Sequence, residues 1–149
     1  MFLVMKNATI STAESCTGGL VAERLTSVPG SSRYFLSGLI CYSNESKIEL
    51  AGIPPLLLEM QGAVSAEVAR GLAEAIRARA GATVGVGITG VAGPTGGSGG
   101  KPVGTVHIAV ATPSGTEHRQ FLYPGDREKI RWQASQAALD MVRRELMKM

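Results

Sequence analysis

The pattern that most restricts the fold of this chain is an alternation of short strand-like and helical segments along its first 90 residues. The strand-like segments are rich in β-formers or apolar residues, and the longer helical ones repeat apolar residues at helical spacing. The strand-like segments are 8–11, 34–42 and 83–88, and the helical ones are 20–28, 43–50, 54–61 and 65–77. Strands that alternate with helices pair in parallel, because a parallel connection needs a long crossover.

A different pattern follows residue 100. Residues 103–111 and 116–123 alternate as strands, and the turn Pro113-Ser114-Gly115 between them predicts an antiparallel hairpin. Asp126 then caps a long final helix. We therefore predict an α/β fold, a three-layer α/β/α sandwich around a mixed, mostly parallel sheet with one antiparallel strand.

Composition restricts the class of protein. Of the 149 residues, 44% are hydrophobic and 18% are charged, which is typical of a globular protein, and we expect a single domain over 1–149. The net charge of +3 comes without a run of Lys or Arg, so we predict no nucleic-acid partner, and no apolar run has membrane-spanning length. Cys16 and Cys41 have neither CxxC nor zinc spacing, so we expect free thiols and a cytoplasmic location.

The turn between the first strand and the first helix contains Ser15 and Cys16, followed by two glycines. A helix that begins there directs unpaired N–H groups and the positive end of its dipole at the turn. This pattern is typical of a serine nucleophile with an anion hole beside it. It is equally typical of an ordinary strand-to-helix loop in which Thr17 caps the helix.

Three polar segments, 12–19, 42–47 and 89–93, follow the C-terminal ends of the three predicted parallel strands. Ligand crevices form at that edge of open α/β sheets. We therefore expect side chains from these distant segments to converge, and Ser15 and Lys47 are the two with the chemistry for nucleophilic catalysis.

A lysine can serve as the base for this serine, because neither histidine is suitably placed in the sequence. Lys47 must then be neutral near pH 7 to 8, which requires its pKa to fall by roughly 2–3 units from about 10.4. Tyr42 can hydrogen-bond the pair and relay a proton. The alternative is an exposed Lys47 that pairs with Glu45 or Glu49.

Several short motif matches are rejected because their context is wrong. Gly85 to Gly90 fits GxGxxG but lies largely inside a strand, so it does not predict dinucleotide binding. Gly96 to Gly100 fits GxSxG without a strand–turn–helix around it, and Gly100-Lys101 lacks the rest of a P-loop. His107 and His118 have no metal-ligand companion at useful spacing, so we interpret them as strand residues and predict no metal site.

Six segments together resemble a known family. They are TAESCTGG (12–19), YSNESK (42–47), GAVS (62–65), TGVAGP (89–94), KPVGTV (101–106) and GDR (125–127). Their order and spacing are similar to those of the CinA C-terminal-domain family, also called competence/damage-inducible protein. Characterised members hydrolyse the amide of nicotinamide mononucleotide to nicotinate mononucleotide and ammonia. The resemblance implies a five-stranded α/β/α fold, Ser15 as nucleophile, Lys47 as base with Tyr42 assisting, and neither metal nor cofactor.

The resemblance also indicates which residues surround the substrate. We expect oxyanion stabilisation by backbone N–H groups near Cys16, Thr17 and Gly18, and by Gly90, with hydroxyl- and glycine-rich loops cradling ribose and phosphate. The predicted oxyanion and substrate-binding residues are Cys16, Thr17, Gly18, Ser31, Ser32, Asn44, Thr89, Gly90 and Gly93. Family members carry an amphipathic helix before the first strand, where only Met1 to Lys6 stand here. We therefore expect either that one sheet face is less covered or that a neighbouring subunit covers it, and we predict a homo-oligomer.

Two alternatives to this hydrolase remain open at the level of sequence. One is a non-catalytic nucleotide-binding or regulatory module, in which the same residues only bind. The other is a thiol enzyme that uses Cys16, because a helix N-terminus lowers the pKa of a nearby cysteine.

Overall fold

The computed structural model describes residues 2–149. Its strands are β1 (Ile10–Glu14), β2 (Phe35–Ile40), β3 (Val84–Gly90), β4 (Thr105–Thr112) and β5 (Gly115–Leu122). Its helices are α1 (Phe2–Met5), α2 (Leu20–Thr26), α3 (Asn44–Ala51), α4 (Pro55–Gln61), α5 (Ala66–Ala80) and α6 (Arg127–Met147), with a 3-10 turn at Ser31–Arg33. None of these helices is long and apolar enough to cross a membrane.

The five strands form one sheet in the order β2-β1-β3-β4-β5. β1 pairs in parallel with β2 and β3, whereas β4 is antiparallel to both β3 and β5. Four strands therefore run in one direction and one opposes them, which confirms the predicted mixed sheet. Only two of the four pairings are parallel, because the single opposing strand lies inside the sheet rather than at its edge.

Helices cover both faces of the sheet. On one face the core joins Ile10 and Val86 of the sheet to Ile130 of α6 and Val21 of α2. On the other face, α5 packs on β3 and β4, with α3 and α4 beside it. This is the predicted three-layer arrangement, and it leaves the C-terminal ends of β1, β2 and β3 free to carry the polar loops.

The glycines of β3 serve helix packing. A Cβ added at Gly85 or Gly87 would overlap backbone atoms of α5, at the carbonyl oxygens of Ala73 and Ala69 respectively. α5 can therefore approach the strand closely only because side chains are missing there. This is the physical reason for the GxGxxG pattern in a segment without a dinucleotide-binding turn.

Three helix starts follow the capping rules used for their prediction. The hydroxyl of Ser43 accepts the N–H of Ser46, that of Ser65 accepts the N–H of Val68, and the Asp126 carboxylate accepts the N–H of Lys129. Each bond satisfies a backbone donor that the first helical turn cannot pair by itself.

The first strand and helix differ from their predicted form. β1 does not end at residue 11 but continues through Glu14, so the first three residues of the TAESCTGG segment are buried strand. Thr17 does not cap the first helix, because α2 begins at Leu20 and Gly19 precedes it in the left-handed conformation, with φ of 103°. Ahead of β1, residues Phe2–Met5 form one helical turn.

Candidate active site

Ser15 and Lys47 form a buried pair at the C-terminal edge of the sheet. Ser15 is the first residue after β1, and Lys47 lies in the first turns of α3, which follows β2. The Nζ atom of Lys47 is 3.0 Å from Ser15 Oγ and donates to the backbone carbonyl of Tyr42 at 2.9 Å. Only 2% of Lys47 and 7% of Ser15 are exposed, so the alternative of an exposed lysine paired with a neighbouring glutamate is wrong.

Burial of Lys47 lowers the pKa of its amine from the ordinary value of 10.5. The thiols of Cys41 and Cys16 act in the opposite direction, but burial is the larger effect. Removing a lone ammonium group from water disfavours its charged form. When the amine is neutral, the 3.0 Å contact lets the Ser15 hydroxyl donate to the Nζ lone pair, which is the arrangement that a general base requires.

Tyr42 contacts the pair differently from what we expected. Its backbone carbonyl accepts a hydrogen bond from Lys47, whereas its hydroxyl accepts one from Arg127 at 2.9 Å. The side chain is 56% exposed. The expectation that the tyrosine hydroxyl bonds the Ser–Lys pair is therefore corrected: the carbonyl orients the amine, and the hydroxyl lies at the mouth of the site.

Glu14 organises the loop after the nucleophile, and we did not identify it from the sequence. Its buried carboxylate accepts the Thr17 hydroxyl at 2.6 Å and the N–H groups of Val21 and Ala22 at 2.9 and 3.0 Å. The first turn of α2 is therefore capped from inside the sheet, and those two N–H groups do not bind a substrate anion. Glu14 lies six residues before α2 begins, so no local capping pattern indicated this contact.

Some of the predicted oxyanion donors already have hydrogen-bond partners within the protein, and others do not. The N–H of Gly18 donates to the carbonyl of Ser15 at 3.0 Å, so Gly18 closes a turn and does not serve as an oxyanion donor. The side chain of Thr17 is bonded to Glu14, and the whole residue is buried. The N–H groups of Cys16 and Thr17 donate to no other residue in the described part of the chain. Cys16 borders the cavity at the Ser–Lys pair, whereas Thr17 is fully buried and does not, so only the Cys16 N–H stays a candidate.

Cys16 has the environment of a packing residue. It is 6% exposed, and burial raises the pKa of its thiol to about 12. The N–H groups of Val21 and Ala22 at the start of α2 are bonded to Glu14, and burial outweighs the lowering of the thiol pKa by the backbone N–H of Cys16 itself. A thiol with so high a pKa forms almost no thiolate near neutral pH, which disfavours the thiol-enzyme alternative.

A cavity of about 180 Å³ opens onto the Ser–Lys pair. Its lining residues are Ser15, Cys16, Tyr42, Asn44, Lys47, Ala63, Val64, Thr89, Gly90, Ala92 and Arg127. Three sheet-edge loops therefore meet here, as predicted. The Thr89 hydroxyl donates to the carbonyl of Ala63, so this side chain fixes the neighbouring loop. Gly93 lies behind the lining, where its carbonyl accepts from Arg127 at 2.7 Å.

Ser31 and Ser32 lie far from this cavity. The prediction that they bind the substrate phosphate at the site of the same chain is therefore wrong. They form the 3-10 turn that precedes β2, whereas Ser15 follows β1. Because β1 and β2 are parallel, the start of one and the end of the other lie at opposite edges of the sheet. The Ser31 hydroxyl donates to the carbonyl of Thr26 instead.

The two histidines form a pair that spacing along the chain did not show. His107 Nδ1 lies 2.9 Å from His118 Nε2, and the rings stack with centroids 5.2 Å apart. They belong to adjacent strands of the hairpin. Among residues 2–149, no three His, Cys, Asp or Glu side chains are grouped to hold a metal ion.

Comparison with known proteins identifies the family. The family model of the CinA C-terminal domain matches residues 2–146. The chain belongs to the CinA C-terminal domain family. It is 60% identical over 145 residues to a CinA-like protein of Koribacter versatilis, in an alignment that covers 97% of this chain and 35% of that protein. This CinA C-terminal domain therefore spans about a third of the length of that relative.

Solved structures of the CinA superfamily share the fold. The competence/damage-inducible protein CihA from Agrobacterium tumefaciens superposes with a TM-score of 0.92 at 39% identity, covering 94% of this chain and 86% of that one. A CinA superfamily protein from Klebsiella pneumoniae 700603 superposes with a TM-score of 0.95 at 30% identity, covering 99% and 92%. The five-stranded α/β architecture is therefore that of the superfamily.

Two arginines of this CinA C-terminal domain reach the site from α6. Arg127 bonds Gly93 and Tyr42, and Arg131 bonds the carbonyls of Cys16 and Thr17. Their spacing of four residues places them on one face of the helix. From the sequence, Arg127 was noted only within the GDR segment and Arg131 was not identified, because the partners of both arginines lie far away along the chain.

Proposed function

We propose that this CinA C-terminal domain hydrolyses the carboxamide of nicotinamide mononucleotide to nicotinate mononucleotide and ammonia, as part of pyridine-nucleotide recycling. The buried 3.0 Å contact between Lys47 Nζ and Ser15 Oγ carries the proposal. A lysine with a lowered pKa, hydrogen-bonded to a serine at a sheet edge, is the arrangement needed for an activated nucleophile.

The reaction proceeds through an acyl-enzyme. Neutral Lys47 takes the Ser15 hydroxyl proton while Oγ attacks the carboxamide carbon, and the carbonyl oxygen becomes an oxyanion that backbone N–H groups stabilise. The C–N bond then breaks, and the Lys47 ammonium returns its proton to the departing nitrogen, which leaves as ammonia. Water attacks the resulting ester, Lys47 takes the water proton, and the released serine oxygen is reprotonated as the carboxylate forms.

The size of the cavity supports a substrate whose reacting part is small. Pockets that enclose a whole ligand usually have at least about 300 Å³. A cavity of about 180 Å³ suits the pyridine carboxamide ring and leaves the ribose and phosphate at the mouth. The mouth carries Asn44, the Tyr42 hydroxyl and the exposed Arg127.

The deciding experiment measures ammonia release from nicotinamide mononucleotide by the purified protein and two neighbouring variants. Ser15→Ala is expected to lower kcat by at least about 10³-fold, because it removes the nucleophile. Cys16→Ala is the matched control and is expected to retain substantial activity, because a buried neutral thiol only packs. An inactive Cys16→Ala together with an active Ser15→Ala would show that the Ser–Lys mechanism is wrong.

The same measurement separates catalysis from binding. A non-catalytic nucleotide-binding module would bind nicotinamide mononucleotide in a calorimetric titration without releasing ammonia. Turnover by the wild-type protein excludes that alternative, whereas binding without turnover would replace the proposed function by it.

A further inference from the structure

The two edges of the sheet differ in charge. The strand order makes β2 and β5 the edge strands. β5 carries Glu117 and Arg119, and charged side chains are a common protection of a sheet edge against pairing with another strand. β2, with the sequence FLSGLI, contains no charged residue and no proline, and all six of its residues are exposed or half-buried. β2 therefore lacks the protection that β5 has, and it is an edge at which another strand can pair.

Apolar side chains and a cavity lie along this open edge. Leu36 is 46% exposed and Ile40 is 53% exposed. Between them Gly38 has no side chain, and beside it lies a cavity of about 260 Å³ that is lined by residues of β1, β2 and α2. A Cβ added at Gly38 would lie 2.8 Å from Thr12 Oγ1, so a side chain of the chain itself does not fit there. The open space next to Gly38 is therefore available to a side chain from a second strand.

The free backbone groups of β2 indicate how a second strand pairs. The N–H of Cys41 donates to the carbonyl of Glu14 in β1. Because the backbone groups of successive residues point to alternate sides of a strand, those of Gly38 and Ile40 point away from β1. No other strand in residues 2–149 pairs with β2 on that side. An antiparallel second β2 that is centred on Gly38 satisfies these groups, and it places Leu36 opposite Ile40 of the other copy.

Charges at the two ends of β2 favour an antiparallel copy of the same strand. Arg33 precedes β2 and Glu45 follows it, and both residues are exposed and form no ion pair in residues 2–149. Counted outward from Gly38, Arg33 of one copy lies opposite Ser43 of the other, close to Glu45. A parallel pair brings Arg33 beside Arg33 instead. Exposed ion pairs add little stability, but complementary charges select the direction of pairing.

The same pairing connects the open edge to the active site. Tyr42 and Asn44, which line the cavity at Ser15, follow directly after β2. The turn Ser31–Arg33 precedes β2 and lies at the opposite edge of the sheet in its own chain. Antiparallel pairing reverses the direction of the second β2. The turn of each copy therefore comes to lie beside Tyr42 and Asn44 of the other.

We propose that two copies of this chain pair antiparallel through β2, and that the Ser31–Arg33 turn of each copy borders the mouth of the other's active site. The contact uses the same surface on both copies, so it closes at two. Arg33 of the second copy adds a positive charge at the mouth. This last part rests on the proposed function, in which the mouth holds the phosphate of the substrate.

The first test measures the mass of the protein in solution by sedimentation velocity. Ile40→Lys places a charge on the open edge, and we expect it to halve the mass of the wild-type particle. Leu122→Lys is the matched control, because Leu122 is 67% exposed at the end of the opposite edge strand, and it should leave the mass unchanged. A monomeric wild-type protein, or an unchanged mass in Ile40→Lys, would overturn the proposal.

A disulfide test checks the pairing without a destabilised variant. Opposite residues of a hydrogen-bonded antiparallel pair have Cα atoms about 5.5 Å apart, which is within disulfide range. Leu36→Cys/Ile40→Cys is therefore expected to form covalent dimers when copper–phenanthroline is added as oxidant. Each single variant should not, because its two thiols lie about 13 Å apart, four residues along the strand. The wild type, whose Cys16 and Cys41 are buried, is the blank. Equal cross-linking in single and double variants, or none in the double variant, contradicts the proposed pairing.

Subunit mixing tests the contribution to the active site. Arg33→Glu keeps Ser15 but reverses the charge of the turn, and we expect KM for nicotinamide mononucleotide to rise about threefold to tenfold because the phosphate is repelled. An excess of inactive Ser15→Ala, which carries the original Arg33, should reverse most of that rise in mixed dimers. Arg119→Glu, at an exposed position of β5, is the control and should keep the wild-type KM.

The outcomes of the mixing experiment separate this inference from the proposed function. An unchanged KM in Arg33→Glu, or a raised KM that mixing does not lower, overturns the placement of the turn at the mouth of the other copy. If the wild-type protein releases no ammonia, the proposed function fails, and sedimentation and cross-linking still decide whether two copies pair through β2.

Discussion

Lys47 differs from the other lysines of the chain because it is buried and its amine contacts a serine hydroxyl and a backbone carbonyl. Its position after a predicted strand made it a candidate from sequence. Burial, however, depends on how α3 packs against the sheet, and local sequence could not separate a buried base from an exposed lysine. Glu14 was missed for a related reason: its donors lie seven and eight residues further along the chain.

The first residue-level prediction concerns the base. Lys47→Arg keeps the positive charge but cannot lose a proton near neutral pH, so we expect kcat to fall about 10²–10⁴-fold, nearly as far as in Lys47→Ala. In the wild-type protein, kcat should rise with pH through one group whose pKa lies below 10.5, because only the neutral amine accepts the serine proton. Steady-state ammonia assays across pH measure both. Near-normal turnover in Lys47→Arg would limit Lys47 to an electrostatic role.

The second residue-level prediction concerns the Glu14 cap. Glu14→Gln replaces a carboxylate that accepts three hydrogen bonds by an amide that cannot accept all of them. We expect the free energy of unfolding in urea to fall by about 2 kcal/mol, the scale of hydrogen bonds to a charged group. Glu45→Gln, at an exposed position early in α3, is the control and should change stability little. Equal stability of the two variants would show that the cap contributes nothing.

At the level of elements, the hairpin β4–β5 was predicted from its turn, but its histidine pair was not. The two residues are eleven positions apart, and only the antiparallel register brings them together on the face covered by α5. Burial is the main cause that lowers the pKa of both rings. Lys101 also lowers the pKa of His107, Arg70 lowers that of His118, and Glu67 acts in the opposite direction on both.

The hairpin therefore gives the fold a pH-dependent stability. Because both pKa values are below 6.5 in the folded protein, the unfolded chain binds more protons between the folded values and 6.5, and stability falls as pH falls through that window. The chain contains only these two histidines. His118→Gln should therefore show a smaller loss of unfolding free energy than wild type between pH 7.5 and 5 in urea titrations. Identical pH profiles for the two proteins would contradict this.

The sequence of the α6 helix alone did not predict its contacts with distant loops. Its cap was predicted and is present, and its apolar residues pack in the core. Its polar face carries Arg127 and Arg131, whose partners lie more than 30 and more than 110 residues earlier in the chain. Helical spacing indicates which residues share a face, but it does not indicate which loops that face will meet.

For the whole molecule, the alternation of elements was enough to predict the layers and the sheet edge that carries Ser15, Lys47 and Thr89. It was not enough to place every polar loop, as Ser31 and Ser32 show. The loop PGSS (29–32) contains glycine and serine like the loop that carries Ser15, although it lies at the opposite edge of the sheet. The direction of the strands, rather than composition, decides which of them can reach the substrate. A homo-oligomer stays a prediction.

The last prediction concerns how the whole site recognises its substrate. The reacting amide is small, so binding energy must come from the rest of the nucleotide, and Arg127 is the exposed cation at the mouth of the cavity. We expect kcat/KM for nicotinamide mononucleotide to exceed that for nicotinamide riboside and free nicotinamide by at least about ten- to a hundredfold, because charge-assisted phosphate contacts are lost in the smaller compounds. Arg127→Ala should remove most of that difference by lowering kcat/KM for the mononucleotide alone. Lys129→Ala, an exposed cation two residues further along α6, is the control and should preserve it. Equal kcat/KM for mononucleotide and riboside in the wild-type protein would show that the phosphate is not recognised.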